Sequence, residues 1–150
     1  MTSRTSIKEF FDSKVFAVVG VSKTGKKFGN IILKELRKRG FQTYGINKNT
    51  FENEFNELYP DFEACPEKPE AAIVCVTPAL SASVVELANQ SGIKNIWLQQ
   101  GAESSDAIEL GKKYGMNIIS KECVFMFAEP VGSIHKFHRW INKIFNKLPA

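Results

Sequence analysis

The chain has 150 residues, the size of one domain, and its 43% hydrophobic and 24% charged residues supply a packed core and exclude a disordered chain. The formal net charge is +4 with a pI near 9.0. That balance suits an anionic small-molecule ligand and is too small to imply nucleic acid by itself.

The stretch Met1 to Phe11 has no apolar signal core, and no apolar run approaches the roughly 18 residues of a membrane helix, so no membrane partner is expected. Three cysteines, Cys65, Cys75 and Cys123, are far apart and odd in number. They argue against a disulfide framework and a zinc site, and they fit a reducing cytoplasm.

Lys14-Val15-Phe16-Ala17-Val18-Val19-Gly20 is a short apolar run ending in glycine, the pattern of a buried strand. From Phe28 to Arg39 the apolar positions Phe28, Ile31, Ile32 and Leu36 have helical spacing, with Lys34, Arg37 and Lys38 outside and Gly40 as the stop. Gln42 to Ile46 reads as the second strand and Ala71 to Val76 as the third. Thr50 to Pro69 is acidic, aromatic and turn-rich, and reads as a long connection with one helical turn. Ser81 to Ser91 is a helix with Val84, Val85, Leu87 and Ala88 inward. Lys94 to Leu98 is the fourth strand. Ser104 or Ser105 caps the next helix, which carries Ile108, Leu110 and Tyr114 and stops at Gly115. Met116 to Ile119 is the fifth strand, and Ser133 caps a terminal amphipathic helix with Ile134, Phe137, Ile141, Ile144 and Phe145 on one stripe.

Strands alternating with helices predict an α/β fold: a three-layer Rossmann-type sandwich with a mainly parallel five-stranded sheet, order 3-2-1-4-5, and helices on both faces. The whole chain, 1–150, is expected to form one such domain, with its core over about 14–123 and a C-terminal helix over about 133–147. In such sheets ligands bind beyond the carboxyl ends of the strands, where the strand order reverses.

Four segments therefore carry the functional reading. The first is Gly20 to Asn30, between a buried strand and a helix. Its glycines admit an anion close to the backbone, Ser22 and Thr24 offer hydroxyls, and Lys23, Lys26 and Lys27 offer cations. Two sharper motifs fail here. Gly20-x-x-x-x-Gly25-Lys26-Lys27 lacks the Ser or Thr that a triphosphatase loop needs for magnesium, and Ser22 replaces the second glycine of the dinucleotide fingerprint. The second segment is Gly45-Ile46-Asn47-Lys48-Asn49. A carboxylate for a free ribose 2′-hydroxyl is missing, and Lys48 suits a phosphorylated ribose such as NADP or coenzyme A carries. The alternative, that Asn47 and Lys48 merely turn the chain, stays open. The third and fourth segments are Thr77 to Ala79 and Gln99 to Ala102.

Val18-Val19-Gly20-Val21-Ser22, Gly45-Ile46-Asn47, Val76-Thr77-Pro78 and Ile96-Trp97-Leu98-Gln99-Gln100-Gly101 together resemble the small CoA-binding-domain proteins. These are similar to the CoA-binding domain of the succinyl-CoA synthetase α subunit and of ADP-forming acyl-CoA synthetases. The likeness runs from about Val15 to Cys123, and Trp-Leu-Gln-x-Gly after the fourth strand is its most specific part. The resemblance implies coenzyme A along the carboxyl edge of the sheet. Gly20, Val21 and Ser22 would lie near the pyrophosphate, and Asn47 with Lys48 near the nucleotide. Thr77 and Pro78 would wall the pocket, with Gln99 to Gly101 towards the pantetheine. Members often have a proline around Asn47 to Asn49, and this chain has none.

No catalytic constellation is visible, so the expectation is a binding protein and not an enzyme. His135 and His138 share a helix face without the further ligands a metal needs, and they read as surface groups. Lys136, Arg139, Lys143 and Lys147 read as a solvated face. Cys123 follows the fifth strand with no histidine to activate it, and reads as a buried thiol. The competing readings are an NADP-linked oxidoreductase, for which no general acid is found, and a subunit of a split acyl-CoA synthetase, which needs a protein partner. A Rossmann-type redox regulator that binds DNA lacks its helix-turn-helix. Self-association stays open.

Overall fold

Before residue 14 the sequence reading holds no helix, and the structure has one. The computed structural model describes residues 2–22, 24–49 and 58–128. Its first helix, α1 (Arg4–Phe11), starts where Ser3 Oγ accepts the backbone N–H of Ser6, and it buries Ile7 and Phe10. Eight residues are too few for periodicity to announce themselves, but the cap and the Ile7/Phe10 spacing are both helical signals.

The central strand β1 (Val15–Val19) pairs in parallel with β2 (Gln42–Ile46) on one side and with β4 (Ala71–Val74) on the other. The sheet continues through β5 (Asn95–Gln99) to β6 (Asn117–Glu122), and every pair is parallel. A sixth strand, β3 (Leu58–Tyr59), adds to the far side of β2, giving the order β3-β2-β1-β4-β5-β6. The α/β class and the 3-2-1-4-5 core order therefore hold, but the count rises from five to six. The extra strand lies in the stretch read as a connection. Two residues carry no alternation, so only pairing with β2 reveals them. It takes the third place, and the strand read as the third over Ala71 to Val76 becomes the fourth, Ala71–Val74, and lies beside β1.

Helix α2 (Phe28–Lys38) joins α1 on one face of the sheet, where Phe10, Phe16, Ile32, Leu36 and Trp97 form a common core. Trp97 is fully buried, with Phe10 at 5.2 Å and Phe127 at 5.7 Å, and its ring N–H donates to the Glu122 carbonyl at 3.0 Å. Each large apolar side chain buried this completely contributes roughly 1.5–3 kcal/mol. On the other face α3 (Pro78–Gln90) and α4 (Ser105–Lys113) bury Val85, Ala88 and Ala107 against Ala72, Val74 and Ile96. After β6 a 3-10 turn, Val124–Met126, leads to Phe127 and Ala128, which return to the α2 face.

Three of the inward assignments are corrected. Phe28 is 46% exposed, Ile31 52% and Leu87 40%. The stripe α2 presents to the sheet is Ile32, Leu33 and Leu36, which rotates Phe28 and Ile31 outward. The helix and charges read at 133–147, His135, His138 and Lys23 lie outside the described residues.

The crossover from β3 to β4 has no helix among its described residues. Phe62 and Cys65 reach into the core from a chain of turns instead. That leaves the face beside α3 only partly covered, with consequences at the carboxyl edge.

Candidate functional site

Gly20 closes β1 with φ +106°, and a Cβ placed there would stand 2.2 Å from the Cys75 carbonyl oxygen. Only glycine lets the chain leave β1 this close to the end of β4. Gly29, in the first turn of α2, repeats the demand: its Cβ would stand 2.5 Å from the Gly20 carbonyl oxygen. The start of α2 is therefore pressed against the loop that follows β1. Asn30 then locks that loop. Its Oδ1 accepts from the Ser22 backbone N–H at 2.9 Å and from Ser22 Oγ at 3.1 Å, while its Nδ2 donates to the Ser22 carbonyl at 2.9 Å.

The loop's outer part is open. Lys27 is the N-cap of α2, in extended conformation, and its side chain makes no capping hydrogen bond. Thr77 is the N-cap of α3, with Pro78 as the first helical residue, and it too makes no side-chain capping bond. Helix starts of this kind keep backbone donors and a partial positive charge directed at whatever lies above them. Lys26, Lys27 and Lys48 are all exposed beside this edge.

Asn47 acts inside the fold. Its Nδ2 donates to the Val21 carbonyl at 2.8 Å, its Oδ1 accepts from the Asn49 backbone N–H at 2.8 Å, and its own N–H donates to the Tyr59 carbonyl at 2.9 Å. It ties the loop after β1 to the end of β2 and to β3. Lys48, next in the chain, is left to solvent.

Between these segments and α3 lies a hollow of about 610 Å³. Gly20, Val21 and Lys27 border it from the first loop, and Ile46, Asn47 and Lys48 from the end of β2. Pro60 to Glu63 and the α3 face carrying Leu80, Val84 and Leu87 close the far side. Apolar walls with a few cations at one rim can take a flat, weakly polar group inside and an anion at the mouth. Asp61 and Glu63 border the hollow on the side away from the lysines, and Asp61 Oδ1 accepts the backbone N–H of Ala64 at 2.8 Å.

Of the residues singled out in the sequence, Gly20, Val21, Lys27, Asn47 and Lys48 border the hollow. Ser22 and Lys26 belong to the same loop without lining it, and Thr77 and Pro78 start α3 at the edge. Gln99 is turned into the protein: it is 3% exposed, its Nε2 donates to Cys123 Sγ at 3.1 Å, and its Oε1 accepts from the Val124 backbone N–H at 3.0 Å. Gly101 is exposed at the turn after β5, and its N–H is held by Glu103 Oε2 at 2.8 Å. The sequence reading ended its first segment at Asn30 without giving it a role, and it missed Pro60 to Glu63, Leu80 and the side of α3 that borders the hollow. An asparagine inside a helical pattern was the available signal for Asn30. Leu80, Val84 and Leu87 are spaced as one helix face that borders the hollow; Val84 is also buried in the core, whereas Leu80 and Leu87 are exposed.

The Cys75 thiol offers little reactivity. Burial, and secondarily the neighbouring Cys123, pushes the Cys75 thiol up to about 12, so it stays protonated at neutral pH. Among the described residues there is no group of three His, Cys, Asp or Glu side chains that could hold a metal ion, and no helix long and apolar enough to cross a membrane.

A family model described as CoA binding domain matches residues 14–129. Among curated proteins the chain is 25% identical over 143 residues to acetate–CoA ligase (ADP-forming) I of Archaeoglobus fulgidus, covering 89% of this chain and 21% of that protein. It is 26% identical over 126 residues to the alpha subunit of acetate–CoA ligase (ADP-forming) II of Pyrococcus furiosus, covering 77% of this chain and 28% of that subunit. The chain thus spans between a fifth and a third of the curated relatives it matches. A solved structure described as a conserved hypothetical protein from Pyrococcus furiosus superposes with a TM-score of 0.67 at 32% identity, covering 74% of this chain and 96% of that one.

Proposed function

The chain belongs to the CoA-binding-domain family, and from that premise we propose that it binds coenzyme A or an acyl-CoA thioester at the carboxyl edge of its sheet, as a binding module without catalytic groups of its own. The observation that carries this reading is the hollow itself. It opens where the loop Gly20 to Lys27 meets Asn47 and Lys48, beneath the uncapped start of α2. The adenosine fits the apolar space between Phe62 and the Leu80–Leu87 face. The diphosphate lies over Gly20 to Lys27, where backbone donors and lysines converge. Lys48 stands at the rim for the ribose phosphate, and Thr77 and Pro78 flank the path towards Gln99 to Gly101. There the backbone and not the Gln99 amide faces the ligand, since that amide is bonded to Cys123 and Val124.

NADP carries a ribose phosphate too, but the family favours coenzyme A. A thermal titration separates them: ligand at 100 times its dissociation constant stabilises the fold by about 2.7 kcal/mol. Coenzyme A is expected to give that shift and NADPH none; the reverse result overturns the assignment. Lys48→Ala is expected to weaken coenzyme A by about tenfold and its 3′-dephospho form far less. Equal losses would remove Lys48 from the phosphate.

A second reading has its own support. The relative of Pyrococcus furiosus is itself a subunit, and this chain matches only part of it. A chain that matches this portion would serve a synthetase whose remaining machinery lies on a partner. Affinity capture followed by identification of a nucleotide-binding partner chain tests that assembly.

A further inference from the structure

Among the described residues the large apolar side chains left exposed are Phe28, Ile31, Leu80, Leu87 and Met126, and they divide between the two faces of the sheet. Leu80 and Leu87 belong to α3 and border the hollow. The other three lie across the edge, on the α2 face. Phe28 is the first residue of α2, and its ring stands edge-on to Phe125 at 5.7 Å. Met126 follows Phe125 in the turn after β6, and Ile31 lies one helical turn below Phe28. Lys27, which borders the hollow, directly precedes Phe28. The edge is therefore crossed in three steps: an apolar hollow, a cationic crest at Lys26 and Lys27, and a second apolar patch beyond it.

Exposed apolar side chains gathered beside cations mark a contact surface. The steps match one kind of molecule, an amphiphile with a base at one end, anionic groups next and, beyond a spacer running towards Gln99 to Gly101, an apolar tail; Val124, whose N–H donates to Gln99 Oε1, leads directly to Phe125. We infer that the patch formed by Phe28, Ile31, Phe125 and Met126 receives the acyl chain of an acyl-CoA thioester and makes the protein prefer longer acyl groups over free coenzyme A. This rests on the coenzyme A reading of the hollow and adds to it the class of thioester. A protein contact is the other occupant such a patch could take, and the titration below separates the two.

Calorimetric titration of the full chain with coenzyme A, acetyl-CoA and octanoyl-CoA tests the inference. Octanoyl-CoA is expected to bind about tenfold more tightly than coenzyme A, with acetyl-CoA close to coenzyme A. Phe28→Ser and, separately, Met126→Ser should abolish most of that gain and leave coenzyme A within about twofold, as befits changes at exposed positions. Coenzyme A binding with no gain for the octanoyl thioester overturns the acyl patch and leaves the reading of the hollow standing. A gain that survives both substitutions also overturns it. Failure of coenzyme A itself to bind overturns the reading of the hollow and this one with it.

Discussion

The α-helices of the described chain begin in two different ways. α1 and α4 start on serines whose hydroxyls accept a backbone N–H three residues on, Ser3 from Ser6 and Ser104 from Ala107. α2 and α3 start on Lys27 and Thr77 with no such bond. The open starts belong to the helices that follow β1 and β4, neighbours at the centre of the sheet where its order reverses. A capped end has spent a donor on its own side chain, whereas an open end keeps its donors for something outside the chain. The difference teaches that this fold caps the helices away from the reversal of strand order and leaves uncapped the two beside it, where we propose that the ligand sits.

The severest way to break that contrast is at the strand exit. Gly20→Ala sets a methyl group against the Cys75 carbonyl and forces an unfavourable φ. It should destabilise the fold by about 3 kcal/mol or more, measured by urea denaturation, and abolish coenzyme A binding. Next comes the lock. Asn30→Ala removes three hydrogen bonds to Ser22 at a site only 9% exposed. It should cost about 2 kcal/mol and weaken the ligand further by freeing the loop. Wild-type affinity in that variant would show that the loop needs no lock.

The smallest effects sharpen the comparison because their signs differ. Lys27→Asp supplies α2 with the cap it lacks and should raise stability by about 0.5–1 kcal/mol, yet weaken coenzyme A by about tenfold. Ser104→Ala removes a cap that faces no ligand; it should lower stability by about 1 kcal/mol and leave affinity unchanged. Paired melting and binding curves read both. If Lys27→Asp bound coenzyme A normally, the open start of α2 would have no part in holding an anion.

The two starts also differ in how legible they are. Ser104 announces its cap in the sequence. The openness of Thr77 does not, because threonine is itself a capping residue and only its placement shows the bond unmade. Similarly, Asn47 reads as a ligand-facing polar group beside Lys48, but its amide is consumed by Val21 and Asn49. Gln99 sits in the most specific motif of the chain and is spent on Cys123 and Val124. A motif shows that a residue type matters at a position, not which way its side chain turns.

By itself the sequence determined the alternation of strands and helices, the glycine-rich exit from the first strand, most helix stops and the family likeness. These rest on periodicity and turn chemistry, which act over a few residues. Tertiary structure alone decided the pairing of Leu58–Tyr59 with β2, the grip of Asn30 on Ser22, the inward turn of Gln99, and a hollow walled jointly by Ile46, Phe62 and Leu80. Each of those depends on how side chains and backbone meet after the chain has folded, and short-range pattern holds no record of such meetings.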